Sequence, residues 1–329
     1  MKFKVFLMVI LLIFVLFASV NAKGDSDTKL LDRKGMIIGE NPPKDKPELF
    51  AKGIVSTGMF ERDITFSPDY SQCYFRIQLG GRATIITLKQ KNRKWTKPHV
   101  AEFSGIYNDM EPHISPDGKY LYFVSNRPMD DSKQPLDETN IWRMKKNGKK
   151  WGKPEPLGEK INGRGNVYYP SVTKNNQLYF TRRDENNNEY IFVSDYENGK
   201  FKNPVKLPDT INSGKYQFNA AISPDGDYII VPVFGRKDSI GATDYYISFK
   251  KDDKWGKLKN LGSMINSEKS EYAPYITPDG KYLFFQSQQG SIKNMEKMSY
   301  EKLKKIFKNP RNGLSDIYWI STEFLYELK

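Results

Sequence analysis

The sequence predicts an all-β fold, a single β-propeller of four-stranded blades, with five blades counted and six as the alternative. Three observations predict it. One stretch recurs: Glu111-Pro-His-Ile-Ser-Pro-Asp-Gly-Lys-Tyr-Leu-Tyr-Phe123 has counterparts in Asp63-Ile-Thr-Phe-Ser-Pro-Asp69, Tyr169-Pro-Ser-Val-Thr-Lys-Asn175, Asn219-Ala-Ala-Ile-Ser-Pro-Asp-Gly226 and Ala273-Pro-Tyr-Ile-Thr-Pro-Asp-Gly280. The copies are evenly spread. Pro68, Pro116, Lys174, Pro224 and Pro278 lie 48, 58, 50 and 54 residues apart, and repeats of roughly 40 to 50 residues suit propeller blades. Finally, each copy is followed by further strand-like segments in the same order.

Within each copy the first two strands form a hairpin. Proline presets its φ for the second position of a type I turn, aspartate or asparagine suits the next, and glycine closes it. The second strand is short and mostly aromatic: Tyr74-Phe75, Tyr122-Phe123, Tyr179-Phe180, Ile229-Ile230 and Phe284-Phe285. A third follows as Thr84-Ile-Ile-Thr-Leu88, Ile141-Trp-Arg-Met144, Tyr190-Ile-Phe-Val193, Tyr245-Tyr-Ile-Ser-Phe249 and Ile317-Tyr-Trp-Ile320. The fourth opens on Trp95, Trp151, Phe201 or Trp255 and, in the later copies, runs through Leu157 to Ile161, Leu207 to Ile211 or Leu261 to Ile265. The last copy has no fourth strand of its own, whereas Pro47-Glu-Leu-Phe-Ala-Lys-Gly-Ile54 reads as a fourth strand with no blade before it. The N-terminal strand is therefore expected to complete the C-terminal blade beside Ile317 to Ser321, which leaves no open sheet edge.

Around this domain, taken as residues 47–329, the ends are read separately. Met1 to Ala22 has a basic start (Lys2, Lys4), an apolar core and a small-residue cleavage site, the pattern of a secretory signal. Its apolar run of 16 residues, Val5 to Val20, is short of the roughly 20 a membrane span needs. An uncleaved anchor is the alternative. Residues 23–46 lack periodicity and read as a linker or loose arm. A helical insertion is expected at about 291–309, where Met295, Met298, Leu303, Ile306 and Phe307 recur near helical spacing before Asn309-Pro310. It either packs on a propeller face or acts as a lid over the channel.

Ser115-Pro-Asp-Gly-Lys-Tyr-Leu-Tyr-Phe123, with Ser125-Asn-Arg127 behind it, resembles the WD40-like (PD40) repeats of TolB-type β-propellers, over about residues 46 to 329. Such propellers serve as binding scaffolds, peptidase appendages and parts of envelope complexes, so fold alone does not name an activity. The resemblance implies an envelope protein, peptide or glycan as partner, in a bacterial periplasm or secreted.

Composition narrows the function further. Net charge is +13, and loss of Lys2 and Lys4 would leave +11. The lysines are scattered among turns and no run of like charge reaches five, so nucleic-acid binding is not expected. Cys73 is the only cysteine, and His99 and His113 are the only histidines. No His-Glu-x-x-His, Gly-x-Ser-x-Gly or glycine-rich phosphate loop occurs, which excludes the common zinc, serine-hydrolase and nucleotide sites. No cofactor is expected, with Ca²⁺ the one ion considered, and the protein is expected to be a monomer.

One constellation remains. If side chains alternate along each innermost strand, Glu61, Asp63, Asp109, Glu111, Tyr169, Gln217, Asn219 and Glu271 share the face toward the channel mouth. The other parity, including Arg62, Met110, Tyr168, Phe218 and Tyr272, is expected to pack between blades. A ring of carboxylates could hold Ca²⁺, bind a sugar or peptide, or supply the acid and base of a glycosidase. Binding without catalysis is the reading preferred here. The bland alternative is that these carboxylates satisfy backbone donors or Arg62.

Overall fold

The computed structural model describes residues 30–329 apart from Asp131, Arg164 and 291–296, so the signal segment lies outside the described residues. The chain is mostly β, with 44% strand and 7% helix, arranged as a propeller. Each repeat forms an antiparallel sheet, and its SPDG-type turn joins the innermost strand to the next one outward. The innermost strands are Phe60–Phe66, Asp109–Ile114, Val167–Val172, the pair Tyr216–Gln217 and Ala221–Ile222, and Glu271–Ile276. They stand side by side in that order, and the last packs against the first.

The blade count differs from the expected five or six: four blades are identified. Four of the sheets have an unbroken innermost strand, while that of the fourth repeat is interrupted between Gln217 and Ala221. The ring is closed as the sequence suggests. Glu48–Leu49 pairs with the outer strand Asp316–Ser321, with Glu48 opposite Trp319 and Leu49 opposite Tyr318. Phe50 then seals the joint: fully buried, it makes edge contacts with Phe66, Phe284 and Trp319 at ring-centroid distances of 4.9 to 5.9 Å.

The core is divided among the joints between successive sheets, each holding its own cluster of buried apolar side chains. Residues 30–40 belong to the fold, contrary to the expected loose arm. Leu30–Lys34 pairs with Lys94–Thr96 and extends the first sheet, and Ile37 and Ile38 are buried. Their lack of periodicity reflects a strand followed by a single 3-10 turn, Ile37–Gly39.

Every innermost strand bulges at the same place. Asp63, Glu111, Tyr169, Asn219 and Ala273 all have φ between 51° and 57°, and the pairing register slips by one residue there in each sheet. Left-handed backbone is costly for residues other than glycine, so its repetition is a designed feature of the strand. Two residues further on, a side chain accepts the backbone N–H of the neighbouring strand. Thr65 accepts from Ile114 (3.0 Å), His113 from Val172 (3.0 Å), Ser171 from Ile222 (3.1 Å) and Tyr275 from Phe66 (3.0 Å). The corresponding residue of the fourth repeat, Ala221, has no acceptor to offer.

The loops divide between two faces. The turns Ser67 to Ser71 and their counterparts lie on one, where Asp69, Asp117 and Asp279 accept from the hydroxyl groups of Ser67, Ser115 and Thr277. The insertions lie on the other, at the mouth. The helix there is Tyr300–Phe307, capped by Ser299, and it buries none of its residues; it does not pack its apolar side onto the propeller. Its C-terminal end rests on Gly58, where a Cβ would come within 2.5 Å of the Phe307 carbonyl oxygen.

Candidate functional site at the channel mouth

The bulge splits the eight predicted site residues into two groups. Asp63, Glu111, Tyr169 and Asn219 occupy the bulge position and face the channel. Glu111 accepts the Tyr169 N–H at 2.6 Å and the Asn219 side-chain amide at 3.4 Å, and the Tyr169 hydroxyl donates across the channel to Pro274 O at 2.8 Å.

Glu61, Asp109, Gln217 and Glu271, two residues earlier, do not join them. Glu61 accepts from the backbone and hydroxyl of Thr57, and Glu271 likewise from Ser267, with Ser287 as a further donor at 2.8 Å. Asp109 pairs with Arg127 at 2.7 Å and accepts from Ser125. Gln217 accepts the Gly214 N–H and donates to Glu189 O. Glu61, Gln217 and Glu271 anchor the loop entering their strands, and Asp109 ties its strand to the end of the next one, so of the five carboxylates expected to converge, two do.

The residues missed are those assigned to the spaces between blades. Arg62, Met110, Tyr168, Phe218 and Tyr272, one before each bulge residue, all line the mouth cavity, together with Arg76, Arg183 and Glu189. At a bulge two residues of one strand oppose a single residue of its partner, so neighbours share a side that strict alternation would deny them. The cavity measures about 390 Å³. Beneath it the channel narrows to about 10 Å³ between Asp63, Glu111, His113, Tyr169 and Tyr275. Arg62 sits over the Tyr272 ring, 5.3 Å from its centroid.

Charge is nearly balanced here. Asp63 is bracketed by Arg62 Nε at 3.1 Å and Arg76 Nη1 at 3.2 Å. Burial pushes the Glu111 carboxyl up to about 7, Asp63 adding to the rise and Arg62 and Arg76 opposing it. Burial and the neighbouring Arg62 bring Arg76 down to about 10. Burial lowers His113 to about 4, consistent with a neutral ring whose Nε2 accepts from Val172. Among the described residues no group of three or more His, Cys, Asp or Glu side chains is placed to hold a metal ion. The arginines in or just after the second strands serve different ends. Arg127 meets Asp109, Arg182 donates to Lys160 O and Ile161 O, Arg236 pairs with Asp238 in its own loop, and Arg76 reaches the mouth.

No protein-family model matches the chain, and no curated protein matches it. Similar solved structures include a TolB from Acinetobacter baumannii, 15% identical over 80% of this chain and 55% of that one, with a TM-score of 0.48. An α-L-arabinofuranosidase from Lactobacillus brevis is 10% identical over 81% and 91%, with a TM-score of 0.48. The arabinanase Arb43A from Bacillus subtilis is 13% identical over 81% and 95%, with a TM-score of 0.49. None of these likenesses bears on ligand or reaction. Among the described residues no helix is long and apolar enough to cross a membrane.

Proposed function

We propose that this chain is an exported propeller that binds a peptide segment of an envelope protein, or a glycan, at the channel mouth, and performs no covalent chemistry of its own. On this reading the split strand of the fourth repeat belongs to a fifth blade, the repeats are of the PD40 kind, and Met1 to Ala22 directs export to a bacterial periplasm or beyond. The observation that carries it is the placement of the two channel carboxylates. Glu111 lines the mouth cavity, whereas Asp63 lines only the constriction beneath, its side chain 1% exposed under Arg62 and Arg76. A glycosidase needs both carboxyl groups at the scissile bond, about 5 to 9.5 Å apart, and a sugar ring does not enter a space of about 10 Å³; Glu189, the other carboxylate lining the mouth, is taken up by Arg183, whose Nε and Nη2 donate to it at 3.1 and 2.5 Å. Arg62 with Tyr168, Phe218 and Tyr272 offers donors and ring faces to a bound chain instead.

The second reading, a carbohydrate-active hydrolase, draws on the raised Glu111 carboxyl beside an acidic neighbour, an acid–base arrangement known in principle. A glycan array, a peptide panel and a hydrolysis screen on wild type and Glu111→Gln separate the two. Binding that Arg62→Ala weakens, without turnover, supports the scaffold. Turnover by wild type that Glu111→Gln abolishes overturns it.

A further inference from the structure

Apart from the mouth, a second cavity of about 570 Å³ opens on the rim between the first and second sheets, within the range of roughly 300 to 1,000 Å³ typical of small-molecule sites. Its floor is apolar and aromatic: Tyr74, Phe103, Met144 and Trp151, with the Trp151 Nε1 donating to the Tyr74 hydroxyl at 2.9 Å. Its edge is basic. Lys89, Lys149, Lys150 and Lys153 line it against the single carboxylate of Glu102.

The next joint shows why this space is open. There Tyr122 pairs across the ladder with Arg143, whose guanidinium lies 4.9 Å from the Tyr120 ring centroid, 5.7 Å from that of Tyr196 and 5.9 Å from that of Phe201, and so fills the joint. In the first sheet the equivalent Tyr74 pairs with Thr87. Thr87 is buried, and its hydroxyl is spent on Cys73 O at 3.1 Å. A short side chain thus stands where a long cation closes the neighbouring joint, and the half-buried rings of Phe103 and Trp151, above the buried Tyr74 and Met144, are left facing the cleft.

We propose that this rim cleft binds a single-chain anionic amphiphile, its apolar chain lying against Phe103 and Trp151 over the buried Tyr74 and Met144, and its carboxylate or phosphate head held by the lysine edge. Burial of the chain supplies most of the affinity, and the lysines select the sign of the head group. The lysines also make binding sensitive to salt.

Tryptophan fluorescence and calorimetry with dodecanoate and dodecyl phosphate, each below its micellar range, test this on the whole chain. Dodecyltrimethylammonium and dodecyl maltoside serve as the cationic and neutral comparisons. The expected result is saturable binding of the two anions at one site, at least tenfold tighter than either comparison. Equal affinity for the two anions assigns the site to negative charge in general, and preference for one names its head group. Lys149→Glu with Lys153→Glu should weaken binding at least tenfold without changing the thermal midpoint. Thr87→Arg should close the cleft as Arg143 closes the next. Trp151→Phe should remove most of the fluorescence change while calorimetric binding persists. Equal binding of the cationic amphiphile, indifference to the lysine reversals, or no binding at all overturns the proposal. None of these outcomes depends on what occupies the mouth.

Discussion

Replacing Glu111 by glutamine should make the protein's stability less dependent on pH, and the size of the change follows from its surroundings. Burial foremost, and Asp63 next, raise this carboxyl from 4.5 to about 7, with Arg62 and Arg76 opposing. A carboxyl whose folded value is raised favours the folded state when protonated. Its contribution is fully present below about pH 4.5 and is lost as pH rises through about 7. The full span of that loss is about 3 kcal/mol, and between pH 5 and pH 8 it is about 2 kcal/mol or slightly more. Glutamine keeps an acceptor for the Tyr169 N–H but carries no charge at any of these pH values. Urea unfolding of both proteins at pH 5 and pH 8 provides the measurement. The variant should gain on wild type by about 2 kcal/mol across that interval, whatever constant offset the lost shape complementarity introduces. Asp316, which burial raises to about 7, tilts stability in the same direction, but it is present in both proteins and cancels in the comparison. A variant that runs parallel to wild type at both pH values would refute the reasoning, because Glu111 would then be ionised in the fold without cost.

Four further outcomes follow from the same geometry. Phe50→Ala removes the ring that joins Phe66, Phe284 and Trp319 across the closing joint and should cost about 3 to 5 kcal/mol by chemical denaturation. Asp109→Ala leaves Arg127 buried without its partner and should cost a similar amount, about 3 to 5 kcal/mol, while affinity for a mouth ligand stays unchanged in the protein that folds. Ala273→Gly relieves a left-handed backbone at φ 56° and should stabilise by up to about 1 kcal/mol, read as a raised thermal midpoint. Gly58→Ala places a Cβ 2.5 Å from the Phe307 carbonyl oxygen. It should free the helix to limited tryptic cleavage among Lys302, Lys304, Lys305 and Lys308 with little change in the midpoint.

Much of the architecture was legible because it is written in short-range chemistry. A serine, a proline and an aspartate in succession favour a turn, and three such turns, with Thr277-Pro-Asp279 and Thr173-Lys-Asn175 at the matching positions, announce a repeat. The role of Glu48–Leu49 was legible for a different reason: a strand signal without a blade and a blade without a strand must meet. Residues 30–40 were less so, since pairing of Leu30–Lys34 to the edge of the first sheet depends on a partner strand some 60 residues away and leaves no period of its own. The helix was recognised by its spacing only in part, since of the expected 291–309 the described residues are helical over Tyr300–Phe307, and its exposure was not, because an apolar stripe tells which side could be buried and not whether anything covers it. The rim cleft depends on Thr87 standing where the next sheet has Arg143, a contrast that has meaning only once the ladders are aligned.

The site itself turned on one inserted residue per strand. Strict alternation assigns Glu61 and Asp63 to the same side and Arg62 to the other; a bulge at Asp63 cancels that assignment. A single slip reverses the facing of everything on one side of it, and here it occurs five times in register around the channel. It therefore exchanged whole rings of residues. Glu61, Gln217 and Glu271 went to the loops, Asp109 to the end of the next strand, and Arg62, Met110, Tyr168, Phe218 and Tyr272 came to the mouth. The signal was present in Pro112, Pro170 and Pro274. Proline inside a strand is tolerated at an unpaired edge or a bulge, and an innermost propeller strand offers both. Reading those prolines as bulge markers turns an acidic ring into a mixed one, with arginine and aromatic side chains around Asp63, Glu111 and Glu189, all three already engaged. That change of composition, more than any single residue, is the ground on which recognition of a bound chain is proposed for the mouth in place of ion binding or hydrolysis.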